Sequence, residues 1–206
     1  MKKHNHHTEP WINPYQLLQK MENENIEYGY RDFTKKENIN SKHEKFNDLE
    51  YIENNCYVLN PKEVWRFKIA TCFDCSMMEW YWCKRIPFTD PHIFFIKYKK
   101  DKENEVVTHT VLYYHDTRYD KWYLMEYFWG MNKGIYGPYN TKLQLLYNYI
   151  KTYIHLTNEQ LIMYLNDNVD IKSLYQQKEL KFSQFVNKCC DGAVNNLVDF
   201  YKKIKI

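Results

Sequence analysis

The spacing of apolar residues along the chain divides it into two helical parts with a strand-rich part between them. Leu17, Leu18 and Met21 repeat at helical spacing within residues 14–25, so this segment is predicted to be an amphipathic helix. Residues 31–55 are charged and rich in asparagine. That composition indicates mostly helix and loop on the surface.

Two further helix starts follow. Asn60 before Pro61 is typical of a helix start, with the asparagine as the cap. The mostly apolar segment 70–83 then fits a buried helix of about three turns. Thr71 or Cys72 stands at its N-terminus.

The apolar period changes after residue 90. Segments 93–98, 106–115 and 121–128 are rich in β-branched and aromatic residues. Short polar turns, the first at 101–104, separate them, and this order predicts an antiparallel three-strand meander. Glycines around Gly134 and Gly137 then interrupt the regular pattern.

The last third of the chain is predicted to be helical. Helical spacing resumes at Asn140, and Thr157 is placed to cap another helix. Residues 179–203 resemble an amphipathic helix that is interrupted near Gly192. Helices on either side of a local antiparallel sheet define an α+β fold class.

A chain of 206 residues is long enough for one domain with its own core. We predict a mobile, polar and histidine-rich tail over residues 1–10, followed by a single domain over residues 11–206 whose helical C-terminal part spans residues 140–206. Apolar stretches long enough for a membrane span and a secretory signal are not found. These features predict a cytoplasmic protein without membrane contact.

Charge and composition limit the classes of molecule that the chain is expected to bind. The 29 basic and 26 acidic residues leave a net charge of +3, and the lysine clusters are small, so nucleic-acid binding is not expected. Aromatic residues make up 18 % of the chain. They predict either a core in which buried Tyr O–H and Trp N–H groups form hydrogen bonds, or an aromatic surface for a protein partner. A codon bias towards AT-rich sequence would produce the same excess.

The six cysteines are predicted to be reduced thiols, because a chain of this length does not need disulfide staples and carries no signal. The pair Cys72 and Cys75 has the spacing of half a zinc site. A second pair is missing, since Cys83 is alone and Cys189–Cys190 are adjacent. We therefore predict neither a metal nor a cofactor.

Cys72, His109 and Glu126 form the candidate site. A helix N-terminus and a nearby imidazolium both favour the thiolate form of a cysteine, and Cys72 stands where a loop leads into a helix. His109 lies within a predicted strand. Glu126 lies among aromatic residues on the next strand, where an unpaired carboxylate would be costly. Each residue alone also fits a plainer role: core thiol, satisfied strand histidine, solvent-facing acid.

The segment Ala70-Thr71-Cys72-Phe73-Asp74-Cys75-Ser76 resembles the cysteine segment of the transglutaminase-like superfamily. The same resemblance extends to the lead-in at 60–64, the histidine strand at 108–113, the acid strand at 122–126 and the segment 134–136. It covers about residues 58–150 and is similar to bacterial or phage members. Ala70 stands where glycine is common, and Glu126 where aspartate is more frequent.

The resemblance implies a papain-like fold, in which the cysteine-bearing helix packs on an antiparallel sheet. It further implies that Cys72 is the nucleophile, His109 the base and Glu126 the orienting acid. The implied chemistry is attack on an amide or peptide carbonyl of a protein or peptide substrate to give a thioester, followed by hydrolysis, deamidation or acyl transfer. Backbone N–H groups at the helix start, including that of Cys72, would form the oxyanion hole.

A different class stays open beside the enzyme. A non-catalytic structural or interaction protein, for example a phage virion or assembly component, could keep the same fold and the same three residues. Its location would then be the virion. Reaction of Cys72 favours the enzyme, whereas assembly with a partner that survives Cys72→Ala favours the structural protein.

Overall fold

The computed structural model describes residues 13–99, 106–128, 133–154 and 162–205. The predicted tail at 1–10, the turn at 101–104 and the helix start at Thr157 lie outside the described residues.

The described part of the chain contains helices and strands in an α+β arrangement, which confirms the predicted fold class. In chain order they are α1 (Pro14–Asn23), β1 (Glu27–Asp32), β2 (Glu37–Asn40), α2 (Leu49–Asn55), α3 (Pro61–Phe67), β3 (Ile69–Ala70), α4 (Cys72–Cys83), β4 (Thr89–Lys99), β5 (Val106–Asp116), β6 (Lys121–Glu126), β7 (Gly134–Tyr139), α5 (Lys142–Tyr149, continued by a π-helical turn at Ile150–Ile154), β8 (Ile162–Asn166), α6 (Ile171–Tyr175), α7 (Phe182–Cys190) and α8 (Leu197–Ile204).

The main sheet is antiparallel and has the strand order β7-β6-β5-β4-β8 among the described residues. The predicted meander forms its centre, because β4, β5 and β6 are sequential neighbours. A smaller mixed sheet has the order β2-β1-β3. Its parallel β1–β3 pair brings Tyr28 opposite Ala70, two residues before Cys72.

The main sheet is covered on both faces. Ile93 and Phe95 of β4 belong to a core shared with α1, α3 and α4, whereas Phe94 and Ile96 belong to a second core shared with α5 and α8. A strand that is buried on both faces has an uninterrupted apolar run rather than an alternating one.

Local hydrogen bonds fix the two helices before the sheet. The Asn60 and Glu63 side chains form a capping box at the start of α3, and Thr71 and Asp74 form another at the start of α4. Thr71 is the cap, so α4 begins at Cys72, and the helix packs on the main sheet. The predicted position of Cys72 is therefore confirmed.

Residues 31–55 are mostly helix and loop, as predicted, although the end of β1 and all of β2 lie there and pair in a hairpin that the polar composition of both strands conceals. Two expectations about secondary structure are wrong. Gly134–Tyr139 is a strand at the sheet edge, where Pro138 removes no ladder bond that a neighbour needs. Residues 162–166 form strand β8 instead of continuing a helix from Thr157, because a short apolar run does not distinguish the two.

All six cysteines are unpaired thiols, and Cys190 is the most accessible of them. In the part of the chain that the structure describes, no helix combines the length and the apolarity needed to cross a membrane.

Candidate functional site

The start of α4 is held by the carboxylate of Asp74. One oxygen accepts hydrogen bonds from the Thr71 backbone N–H and hydroxyl, at 2.6 and 2.8 Å, and the other accepts one from the Leu59 backbone N–H. Burial raises the pKa of Asp74 to about 7, although these hydrogen bonds act to lower it. Asp74 thus ties the loop before Cys72 to the helix that follows.

His109 and Glu126 form a buried pair between strands β5 and β6. His109 Nε2 lies 2.8 Å from Glu126 Oε2, and both side chains are almost fully buried. The Tyr149 hydroxyl donates to the same glutamate oxygen at 3.1 Å, and the Phe128 backbone N–H donates to Oε1 at 3.0 Å. Both carboxylate oxygens are therefore hydrogen-bonded, as a buried charge requires.

The surroundings of His109 favour its protonated form. Burial acts to lower its pKa, but the negative charge of Glu126 and hydrogen bonds to Cys72 and Glu126 outweigh burial and raise the pKa to about 10. A buried imidazolium thus adjoins the thiol at the start of a helix.

Cys72 also lines a cleft with a volume of about 480 Å³. Four aromatic rings line the same cleft: Tyr28, Tyr30, Phe73 and Phe182. The proximity of Cys72 raises the pKa of Tyr28, and burial, followed by Cys72, raises the pKa of Tyr30 to about 12. Both tyrosines keep their protons near neutral pH and can act as hydrogen-bond donors in the cleft.

One helical turn further on, Cys75 lies in a different environment. Its Sγ is 3.5 Å from Glu79 Oε1, and both side chains are buried between α4 and the sheet. Burial, followed by the neighbouring carboxylates, raises the pKa of Cys75 well above its usual value. Burial and then Glu126 raise the pKa of Glu79 in the same direction. Cys75 therefore keeps its proton near pH 7, and burial favours the protonated form of Glu79.

The structure brings Cys72, His109 and Glu126 together, while their catalytic roles stay predictions. Tyr149 was not predicted at this site, because it falls on the apolar stripe of its helix and resembles a core residue. Glu79, an acidic residue within a mostly apolar segment, is a sequence signal for a buried acid at this site. Within the described ranges, no three histidine, cysteine or acidic side chains are grouped so as to hold a metal ion.

Comparisons with known proteins add no relative: no protein-family model matches the chain, and no curated protein has significant sequence similarity to it. The geometry of the site is therefore the guide to the function of this chain.

Proposed function

We propose that this protein is a cysteine enzyme of the transglutaminase-like, papain-like-fold type that acts on an amide or peptide carbonyl through a thioester. The observation that carries the proposal is the buried pair of His109 and Glu126, whose Nε2 and Oε2 atoms are 2.8 Å apart, beside Cys72 at the first position of α4. A nucleophile, a base and an acceptor that orients the base make up a catalytic triad.

The acylation step uses each group once. The Cys72 thiolate forms a bond to the carbonyl carbon, and the carbonyl oxygen becomes negatively charged. The backbone N–H of Cys72 donates a hydrogen bond to this oxygen. The His109 imidazolium then gives its proton to the departing nitrogen as the C–N bond breaks. The products of this step are an amine, or ammonia from a carboxamide, and a thioester on Cys72.

The second step regenerates the thiol. Neutral His109 takes a proton from an attacking water or amine, a C–O or C–N bond forms, and the C–S bond breaks. Water gives hydrolysis or deamidation, and an amine gives acyl transfer. Glu126 holds the imidazole ring in its orientation, and the hydrogen bonds from Tyr149 and Phe128 hold the carboxylate.

Alkylation of the six thiols tests the proposal. Native protein is treated with a limiting amount of iodoacetamide at about pH 6, where ordinary thiols are almost fully protonated, and peptide mass spectrometry measures the rate at each cysteine. We expect Cys72 to react first, although Cys190 is more accessible. A rate at Cys72 no higher than at Cys190 would contradict the nucleophile assignment.

A protein-binding role without catalysis is the second candidate, and an exposed aromatic cluster favours it. Phe88 and Tyr119 are 58 % and 64 % exposed, and the Arg118 guanidinium lies over both rings. Aromatic residues with arginine are typical of binding hot spots. This cluster lies where β4 begins and β5 ends, away from His109. Under this alternative, a virion or assembly component would keep its partner when Cys72 is replaced by alanine.

A further inference from the structure

The cleft beside Cys72 has two unlike walls. One is the aromatic wall, made by Tyr28, Tyr30, Phe73 and Phe182. Its rings come from β1, α4 and α7, so separate parts of the chain converge on it. Tyr28 is held edge-on to Phe128, and Phe182 edge-on to Tyr30. The wall therefore presents rings whose orientations are fixed by other rings.

The polar wall is made by Lys97 and Thr108. These residues are cross-strand partners on β4 and β5, and the next pair in the ladder is Ile96 with His109. Lys97 therefore lies beside the strand that carries the base. Its ammonium group lies 5.6 Å from the centre of the Tyr164 ring, and no described carboxylate forms an ion pair with it.

Glu53 is the acidic residue that lines the cleft, and its carboxylate is hydrogen-bonded within the protein. Its carboxylate accepts a hydrogen bond from the Ser183 hydroxyl and another, at 3.2 Å, from the Ser183 backbone N–H. These bonds join α2 to the first turn of α7. Glu53 keeps its negative charge, but its oxygens already accept hydrogen bonds from Ser183, so Lys97 is the charged lining residue placed to pair with a ligand carboxylate.

We infer that the cleft binds a peptide segment in which a large apolar side chain lies close in sequence to an aspartate or glutamate. The apolar side chain would pack on the aromatic wall, and the carboxylate would pair with Lys97 on the polar wall. A volume of about 480 Å³ lies within the range of roughly 300–1,000 Å³ that ligand sites occupy. The inference rests on the proposed function, since it treats this cleft as the substrate site.

Fluorescence anisotropy with the full-length Cys72→Ala variant tests the inference without turnover. The probes are blocked pentapeptides that carry an uncharged dye and contain Phe and Asp, Phe and Lys, or Ala and Asp, two positions apart. We expect the Phe–Asp peptide to bind about tenfold more tightly than either of the others, because only it meets both walls. Equal affinities for the three peptides would overturn the inference.

Charge variants of Lys97 sharpen the result. Added to Cys72→Ala, Lys97→Gln should remove the preference for Asp over Lys, and Lys97→Glu should reverse it. Lys99→Gln is the matched control, because Lys99 lies on the same strand but does not line the cleft. Circular dichroism confirms the fold of each variant. A preference for Asp that persists in Lys97→Glu would overturn the assignment to Lys97.

The two proposals fail in different ways. If Cys72 of the wild-type protein does not react faster than the other thiols, the proposed function fails, while the peptide preference of Cys72→Ala can still hold. If Cys72 reacts fast but the three peptides bind equally, the inference about the substrate fails and the nucleophile assignment stands.

Discussion

Cys72 and Cys75 lie three residues apart on α4, yet their environments are opposite. Cys72 lines the cleft at the helix N-terminus and lies beside His109. The surroundings of His109 favour its imidazolium form. Cys75 lies beside Glu79 and has a pKa well above its usual value, with burial as the largest cause. One turn of helix thus separates a thiol next to a cation from a thiol next to acids.

The two thiols differ in how deeply they are buried and in the charge of the neighbouring groups, although both belong to the same residue type. The helix N-terminus and the His109–Glu126 pair act at the cleft end of α4. The middle of the helix lies between the sheet and the surrounding helices, where charged forms are disfavoured. Replacement of Cys72 should therefore change reactivity, whereas replacement of Cys75 should change stability.

Exchange of each thiol for alanine should give the largest contrast. Cys72→Ala should abolish both the rapid alkylation near pH 6 and any turnover of a peptide amide. Cys75→Ala should keep both, and should lower the free energy of unfolding by about 1–2 kcal/mol through lost packing. Alkylation rates and urea unfolding measure the two effects. Rapid alkylation that disappears in Cys75→Ala would reverse the assignment of the nucleophile.

Glu126→Gln should have the next largest effect, because it leaves the buried His109 imidazolium without its counter-charge. Removal of one partner from a buried pair costs about 3–5 kcal/mol, and urea unfolding near pH 6.5 should show a loss of this order. A loss below about 1 kcal/mol would show that the pair does not hold a buried charge.

The pH dependence of the same comparison follows from the raised pKa of His109. The folded protein holds a proton on His109 up to about pH 10, whereas an unfolded histidine loses it near pH 6.5. The stability from this proton is fully present below about pH 6.5 and is lost as the pH rises towards 10. The stability difference between wild type and Glu126→Gln should therefore shrink over this range.

Tyr149→Phe should have a smaller effect, because it removes one of the donors to Glu126 and leaves the ring in place. A hydrogen bond to a charged group contributes about 1.5–3 kcal/mol, and urea unfolding measures the loss. Alkylation of Cys72 near pH 6 should also slow severalfold, since Glu126 is held less firmly. Unchanged alkylation would limit Tyr149 to a structural role.

Glu79→Gln should have the smallest effect at about pH 5, within about 1 kcal/mol, because glutamine replaces a carboxyl group that is already neutral. The raised pKa of Glu79 makes its contribution to wild-type stability full below about pH 4.5 and smaller as the pH rises. The variant should therefore gain stability relative to wild type with increasing pH. A constant difference between pH 5 and 8 in urea unfolding would contradict the raised pKa of Glu79.

The parts of this structure that the sequence predicts are those with local signals. The cap at Thr71 and the apolar run after it predict that α4 begins at Cys72, and the order of β-rich segments predicts that His109 and Glu126 lie on neighbouring strands. The α+β class follows from the same patterns, and the resemblance to the transglutaminase-like superfamily implies that the Cys72 helix packs on an antiparallel sheet. The structure confirms both.

The parts that it did not predict depend on contacts between distant segments. Tyr149 reaches Glu126 across 23 residues of sequence, and its own helix has the pattern of a core element. The aromatic wall combines residues of β1 with a residue of α7. No sequence pattern near Tyr30 predicts its contact with Phe182. Strand β8 pairs with β4, although three strands and helix α5 separate the two in the sequence. Periodicity describes which face of an element is buried, but not which distant segment covers it.

The most direct test of the central claim is the rate of Cys72 alkylation as a function of pH in wild type and in His109→Asn. If His109 activates Cys72, the wild-type rate should change little between about pH 6 and 8, whereas the variant rate should rise about tenfold for each pH unit, as for an ordinary thiol. Profiles that rise in parallel would contradict the claim that His109 activates Cys72.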